Sequence, residues 1–99
     1  MPAYVVSEVT IVDEPGAQSY RAIAAASIAK YHGRYLSRGL KPHAAEGIWP
    51  ADATLIIVEF PDMATTQRWY ASPEYAEALE IRATALDRRL LFIDGTNPG

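Results

Sequence analysis

The chain has 99 residues, 49% of them hydrophobic and 21% charged, with a formal net charge of -3 and no cysteine. This composition is typical of one globular domain. The mild acidity argues against DNA, RNA or an anionic membrane as a partner, because these partners require clustered Lys and Arg. The missing cysteine excludes disulfides, thiolate metal sites and cysteine nucleophiles.

The N-terminus lacks the basic and apolar stretches of a signal peptide, and no apolar segment approaches the roughly 20 residues that span a bilayer. We therefore expect a single cytoplasmic domain without membrane association. Its ordered core is predicted over residues 1–94, with a short tail over 95–99.

The local patterns, taken in chain order, predict four strands and three helices. Residues 3–12 form the first strand, and an amphipathic helix starts near Pro15 and ends at Gly33, which is predicted to take a left-handed conformation. A second strand over 34–38, a long connection over 42–53 and a third strand over 54–60 follow. Asp62 then begins a short helix, Ser72 with Pro73 begins another, and a last strand covers 89–94.

This order predicts an α+β, ferredoxin-like βαββααβ domain with an antiparallel four-stranded sheet. Crossover rules make the first and second strands parallel with the third between them, and place the helices on one face. Three runs, over residues 3–6, 55–58 and 90–93, are apolar on both faces, which predicts strands buried on two sides. Because the helices cover one face only, we expect a homodimer that pairs through the open sheet face.

Three segments carry a family resemblance: Tyr31-His32-Gly33-Arg34-Tyr35-Leu36-Ser37-Arg38-Gly39, Glu59-Phe60-Pro61 and Trp69-Tyr70-Ala71-Ser72-Pro73-Glu74-Tyr75. With them the chain resembles the bacterial family catalogued as domain of unknown function 1330, from its first strand to about Asp94. The resemblance implies a dimeric α/β barrel, in which two ferredoxin-like sheets face each other and a pocket can form between sheet and helices. That superfamily includes cofactor-free monooxygenases, lactone isomerases and heme enzymes. The family usually shows Gly-Gly where this chain has His32-Gly33, so the resemblance gives His32 no role.

Arg38 and Glu59 are charged residues within otherwise apolar strands. Facing strands could bring them within pairing distance of each other or of Glu8. Such a cluster is either the polar anchor of a cavity, where a carboxylate can have a raised pKa suited to proton transfer, or a structural ion pair at the dimer seam.

His32 is a candidate general acid or base because an imidazole titrates near neutrality. Its place in the last turn of a helix also suits a solvated residue that complements the helix dipole. His43, with Glu46 three residues on, makes a weak metal site, and we expect no tightly bound metal and no cofactor. A heme enzyme would need His32 or His43 as its axial ligand.

Trp69, Tyr70 and Tyr75 cluster around the break between the last two helices, and with Tyr35 they are candidate substrate-binding residues. Aromatic lining with a few polar tips is typical of small-molecule sites, although core packing around a hinge gives the same pattern. No phosphate loop, dinucleotide fingerprint or nucleophile elbow is present.

These observations favour a small dimeric protein that binds a small organic molecule, with cofactor-independent monooxygenase or isomerase chemistry suggested by the fold alone. The alternative is a structural or regulatory homodimer without catalysis.

Overall fold

The computed structural model describes residues 1–96. Its elements in chain order are β1 (Ala3–Ile11), α1 (Glu14–Lys30), β2 (Arg34–Leu40), β3 (Ala53–Phe60), α2 (Met63–Tyr70), α3 (Pro73–Ala85) and β4 (Leu86–Asp94). Within this range, no helix is long and apolar enough to cross a membrane. Of the predicted tail over 95–99, residues 97–99 lie outside the described part of the chain.

The sheet has the strand order β2-β3-β1-β4, and every neighbouring pair is antiparallel. β1 and β2 therefore run parallel with β3 between them. The alternate residues Ala3, Val5, Ser7 and Val9 of β1 are buried, on the face of the sheet that carries the helices. The predicted ferredoxin-like α+β fold is confirmed.

The two short helices begin at their predicted caps. The Asp62 carboxylate accepts a hydrogen bond from the Thr65 amide at 2.7 Å, and the Ser72 hydroxyl accepts one from the Tyr75 amide at 3.1 Å. Each side chain satisfies an amide that the first helical turn would otherwise leave without a partner. Pro73 occupies the first helical position, where its missing N–H costs nothing.

The last strand begins three residues earlier than predicted, because α3 passes into β4 without a loop. Leu86 is already extended, and the Ala85 carbonyl accepts hydrogen bonds from the Val12 and Asp13 amides at 2.9 and 3.1 Å. These two bonds hold the junction beside the end of β1. The early start matters for the site, since it places Arg88 inside the strand.

His32, not Gly33, takes the left-handed conformation after α1, with φ of 65°. The prediction for Gly33 is therefore wrong. Gly33 is needed for close packing instead: a Cβ atom there would lie 2.7 Å from Ile28 Cγ2 and 2.8 Å from Phe60 Cε1. His32 is thus a non-glycine residue in a conformation that costs residues with a Cβ atom about 1–2 kcal/mol.

β2 extends to Leu40 and contains two irregularities in its pairing with β3, one at Leu36 and one at Gly39. Gly39 has φ of 74°, which glycine adopts without strain, so the strand continues past it. The extra residue at Leu36 changes the alternation of side chains. Tyr35 and Arg38, three positions apart, consequently lie on the same face of the sheet.

No helix of residues 1–96 covers the other face of the sheet. Its apolar side chains include Leu91 and Ile93 of β4, which are 55% and 56% exposed. Ion pairs join Arg34 to Glu59 at 2.7 Å and Arg89 to Glu8 at 3.0 Å on this face. The open face is thus a mixture of apolar residues and neutralised charges.

Candidate functional site

A cavity of about 300 Å³ lies between the sheet and α1. Most of its wall is apolar, with contributions from Val5, Val9, Ala24, Ile28, Ile56, Val58, Trp69, Leu86 and Leu90. Its polar lining is Ser7, Tyr20, Arg21, Tyr35, Arg38, Thr54, Tyr75 and Arg88. An apolar cavity with a few convergent polar groups is the usual form of a small-molecule site, and this volume is at the small end of that class.

Trp69 and Tyr75 form one end of the cavity and are both fully buried, with ring centroids 4.2 Å apart. Ser72, in the break between α2 and α3, fixes this pair: its hydroxyl donates to the Trp69 carbonyl at 2.6 Å and accepts from the Tyr75 amide. The Trp69 indole N–H donates to the Ser27 hydroxyl on α1 at 3.0 Å. Both rings are therefore held by contacts to separate elements.

The polar centre of the cavity is a cluster of Tyr20, Tyr75 and Arg88. The two phenolic oxygens are 2.5 Å apart, and Arg88 donates to Tyr20 Oη at 2.5 Å and to Tyr75 Oη at 2.9 Å. α1, α3 and β4 each supply one member. The fork of the guanidinium matches the two oxygens, which fixes the hydroxyls relative to the cavity.

Burial raises the pKa of Tyr75 well above its ordinary value, and the neighbouring Tyr20 adds to the rise. The Arg88 guanidinium opposes this increase without cancelling it. Tyr75 is therefore a neutral hydrogen-bond donor and acceptor at physiological pH, and the arrangement can donate hydrogen bonds to an oxygen of a bound molecule.

Tyr35 and Arg38 lie on the β2 side of the cavity. The Arg38 guanidinium carbon stands 4.4 Å from the centroid of the Tyr35 ring, a cation–π arrangement. Burial raises the pKa of the Tyr35 hydroxyl, while the charge of Arg38 acts in the opposite direction. Because Arg38 remains exposed, it is suited to contact a molecule entering from solvent.

Ser7 lies on the cavity wall at the centre of β1 and is 4% exposed. Its hydroxyl has no hydrogen-bond partner among the described residues. A buried hydroxyl without a partner is unusual, because its desolvation is not compensated.

The structure does not bring the predicted catalytic residues together. Glu59 lies on the open face, where Arg34 donates to it and holds the pKa of its carboxyl below the ordinary value. Arg38 faces the cavity on the other side of the sheet. The expected pairing of Arg38 with Glu59 or Glu8 is therefore wrong, and its physical reason is the bulge at Leu36, which reverses the face of Arg38.

The remaining predicted residues divide between the cavity and the surface. Trp69, Tyr75 and Tyr35 line the cavity. Tyr70 packs against the rings of Tyr75 and Phe92 and does not reach the lining. His32 is exposed at the end of α1. Catalytic roles for His32 and Glu59 stay predictions.

Sequence reasoning did not identify Arg88, Ser7 or Tyr20 as site residues. The signal for Arg88 was present, since Leu86, Arg88, Leu90 and Phe92 alternate along a strand with a single charge on the buried face. Starting the last strand at residue 89 concealed this alternation. Ser7 shows the same kind of signal, since it is the polar residue among the inward-facing residues Val5, Ser7 and Val9 of β1.

Solved structures share this fold at low sequence identity. A protein of unknown function from Rhodopseudomonas palustris has a TM-score of 0.79 and 18% identity, over 98% of this chain and 84% of that one. SnoaB, a cofactor-independent oxygenase from Streptomyces nogalater, has a TM-score of 0.70 and 14% identity, with 97% and 94% of the two chains covered. A dimeric protein of unknown function with a ferredoxin-like fold from Bacteroides fragilis has a TM-score of 0.63 and 16% identity, with 95% and 96% covered.

No curated protein matches the sequence. A family model does match, over residues 2–96, and this range includes every strand and helix that forms the cavity. The chain belongs to the family described as Domain of unknown function (DUF1330).

Proposed function

We propose that this protein binds a small organic molecule in the cavity between α1 and the sheet. The observation that carries the proposal is the cavity itself: about 300 Å³, mostly apolar, with the Tyr20–Tyr75–Arg88 cluster on its wall. The apolar wall would bind the body of the ligand, and the cluster would bind one of its oxygens. Trp69, Tyr75, Tyr35 and Arg38 are the substrate-binding residues in this proposal.

Cofactor-independent chemistry is compatible with this site. A hydroxyl held beside a guanidinium can polarise a carbonyl group by donating a hydrogen bond to its oxygen, which stabilises the negative charge that develops there during isomerisation or cofactor-free oxygenation. The oxygenase from Streptomyces nogalater offers an analogy at the level of the fold only. Catalysis is thus the second part of the proposal, and it depends on the first.

Filling the cavity tests the binding proposal. Ala24 is buried on α1 and lines the cavity, so Ala24→Leu would occupy the space of a ligand. Ala29→Leu is a matched control, because Ala29 is exposed on the same helix. In a Trp49→Phe background, Trp69 is the remaining tryptophan, and its fluorescence reports binding of small aromatic acids, alcohols and lactones.

We expect compounds from this panel to change Trp69 fluorescence in the background protein and in the Ala29→Leu variant, and to leave it unchanged in the Ala24→Leu variant. Circular dichroism confirms that each variant is folded. Equal binding by both variants would contradict the assignment of the cavity as the ligand site.

We also infer that two copies pair through the open sheet face. The support is the exposed apolar surface of Leu91 and Ile93, together with the dimeric state stated for the Bacteroides fragilis protein. Leu91→Arg should shift the protein to monomers in sedimentation velocity. Val12→Arg, at a position 67% exposed beyond the end of β1, should leave the dimer intact. A monomeric wild-type protein at micromolar concentration would refute the inference.

The open face also favours a second candidate function, a structural or regulatory homodimer without a ligand. This face is separate from the cavity, so pairing through it requires no ligand. A stable dimer in which no member of the compound panel changes Trp69 fluorescence would favour this candidate over the first.

A further inference from the structure

We propose that the ligand is an organic carboxylate whose ionised group binds Arg88 and a hydroxyl of the Tyr20–Tyr75 pair. This inference rests on the proposed function, since it identifies the chemical class of the molecule in the same cavity. It follows from three features of the site as residues 1–96 form it: a cation without a counter-ion, a phenolic hydrogen without an acceptor, and a serine hydroxyl without a partner.

Arg88 is a half-buried cation that takes part in none of the ion pairs formed by the described residues. Its two observed acceptors, Tyr20 Oη and Tyr75 Oη, are oxygens of phenols and not of carboxylates. Charges removed from water are normally balanced by an opposite charge. A carboxylate in the cavity would supply the missing negative charge, and the guanidinium has further N–H groups to donate to it.

The tyrosine pair also has one hydrogen to spare. Each hydroxyl carries one hydrogen, and the contact of 2.5 Å between the two oxygens uses one of them, whichever tyrosine donates. Arg88 donates to both oxygens, so it accepts nothing from them. Because burial keeps Tyr75 protonated at neutral pH, the second hydrogen is present, and among residues 1–96 no acceptor is found for it. An acceptor from a ligand would complete the network.

Ser7 provides a third unused group on the same wall, since its hydroxyl is buried without a partner. The charged residues around the cavity also favour an anionic ligand. Arg21 is neutralised by Glu14 at 2.7 Å, and Arg38 has no carboxylate within ion-pair distance in the described structure. No Asp or Glu of residues 1–96 lines the cavity, although the chain has 12 acidic and 9 basic residues. The cavity is therefore cationic within an acidic protein.

The test compares probes of equal shape and different charge. Isothermal titration calorimetry with the wild-type protein measures binding of 2-naphthoate and of its neutral analogue 2-naphthalenemethanol, and of benzoate and benzyl alcohol as a smaller pair. We expect each carboxylate to bind at least about tenfold more tightly than its alcohol, because hydrogen bonds to a charged group are worth at least that factor.

Arg88→Gln removes the charge and should reduce this preference to about threefold or less. Arg68→Gln is the matched control, since it changes the net charge equally at an exposed position on α2, outside the cavity, and should keep the full preference. The wild-type comparison needs no variant, so it decides the inference even if Arg88→Gln fails to fold.

The outcomes separate the two proposals. Alcohols that bind as tightly as the carboxylates would overturn the carboxylate inference and leave the proposed binding function in place. A carboxylate preference that survives in a folded Arg88→Gln protein would overturn the assignment of Arg88. If neither pair of probes binds at millimolar concentration, the proposed function fails and the inference fails with it.

Discussion

Ser7→Ala and Ser27→Ala are the same substitution at two buried serines, and the structure predicts opposite effects on stability. Ser7 is 4% exposed, and its hydroxyl has no partner in the part of the chain that the structure describes. Ser27 is 2% exposed; its hydroxyl donates to the Ala24 carbonyl at 2.8 Å and accepts from the Trp69 indole N–H at 3.0 Å. The comparison therefore isolates the effect of hydrogen bonding from the effect of burial.

Removing an unpartnered buried hydroxyl removes its desolvation cost, so Ser7→Ala should raise the free energy of unfolding by about 1 kcal/mol. For a domain of this size, the midpoint of thermal unfolding should rise by about 5 °C. Ser27→Ala leaves the Trp69 indole N–H buried without an acceptor, and the free energy of unfolding should fall by about 2 kcal/mol.

Urea unfolding of both variants and of the wild type, followed by fluorescence at one protein concentration, measures these changes from the shift in midpoint at a constant m-value. The reasoning would be refuted if Ser7→Ala lowered the free energy of unfolding as much as Ser27→Ala does. Ser7 would then have a partner in solution, such as a bound water.

The remaining predictions concern backbone strain, packing and pKa shifts. His32→Gly should raise the free energy of unfolding by about 0.5–1 kcal/mol, because the relief of about 1–2 kcal/mol of left-handed strain is partly offset by the greater entropy of glycine in the unfolded chain. Gly33→Ala should lower the free energy of unfolding by about 1–3 kcal/mol through overpacking, and urea unfolding measures both changes. The hydrogen bond from Arg34 lowers the pKa of Glu59. The stability that Glu59 contributes is therefore present above the unfolded pKa of about 4.3 and is lost as pH falls through the folded pKa. In Glu59→Gln, the free energy of unfolding should fall less steeply with pH below about pH 5, and an unchanged pH profile would contradict this. Burial raises the pKa of Tyr75, so the stability that its neutral hydroxyl contributes is complete below the unfolded pKa of about 10 and is lost as pH rises above it. Between pH 10 and 11, the thermal stability of Tyr75→Phe should therefore fall less than that of the wild-type protein.

The elements that sequence reasoning located well are those specified by neighbouring residues. The caps at Asp62 and Ser72, the proline after Ser72, and the apolar runs of the strands all act over a few positions. Because the order of elements and the handedness of crossovers leave few arrangements of such a chain, the sheet topology followed from them. The same reasoning could place aromatic residues around the break between α2 and α3, as observed for Trp69 and Tyr75.

The parts that the sequence could not supply depend on distant contacts or on single-residue irregularities. Tyr20 is separated from Tyr75 by 55 positions and from Arg88 by 68, so nothing local indicates that the three meet. Strict alternation along β2 would place Arg38 on the same face as Glu59. The bulge at Leu36 places it on the opposite face, so the expected ion pair between Arg38 and Glu59 does not form. Gly33 was given the wrong role because its packing against Phe60 is a tertiary contact.

The volume of the cavity also bears on its function. An enclosed dry cavity costs about 24 cal/mol per Å³, whereas this cavity of about 300 Å³ is open to solvent, so its volume alone carries no penalty of that kind. Evolution can fill such a space with larger side chains, yet α1 presents Ala24 to it and β1 presents Ser7. A ligand bound in the cavity would stabilise the fold by an amount that rises with the logarithm of its concentration, about 2.7 kcal/mol at 100 times its dissociation constant. The small side chains of Ala24 and Ser7 on the wall therefore support the proposal that the cavity holds a ligand.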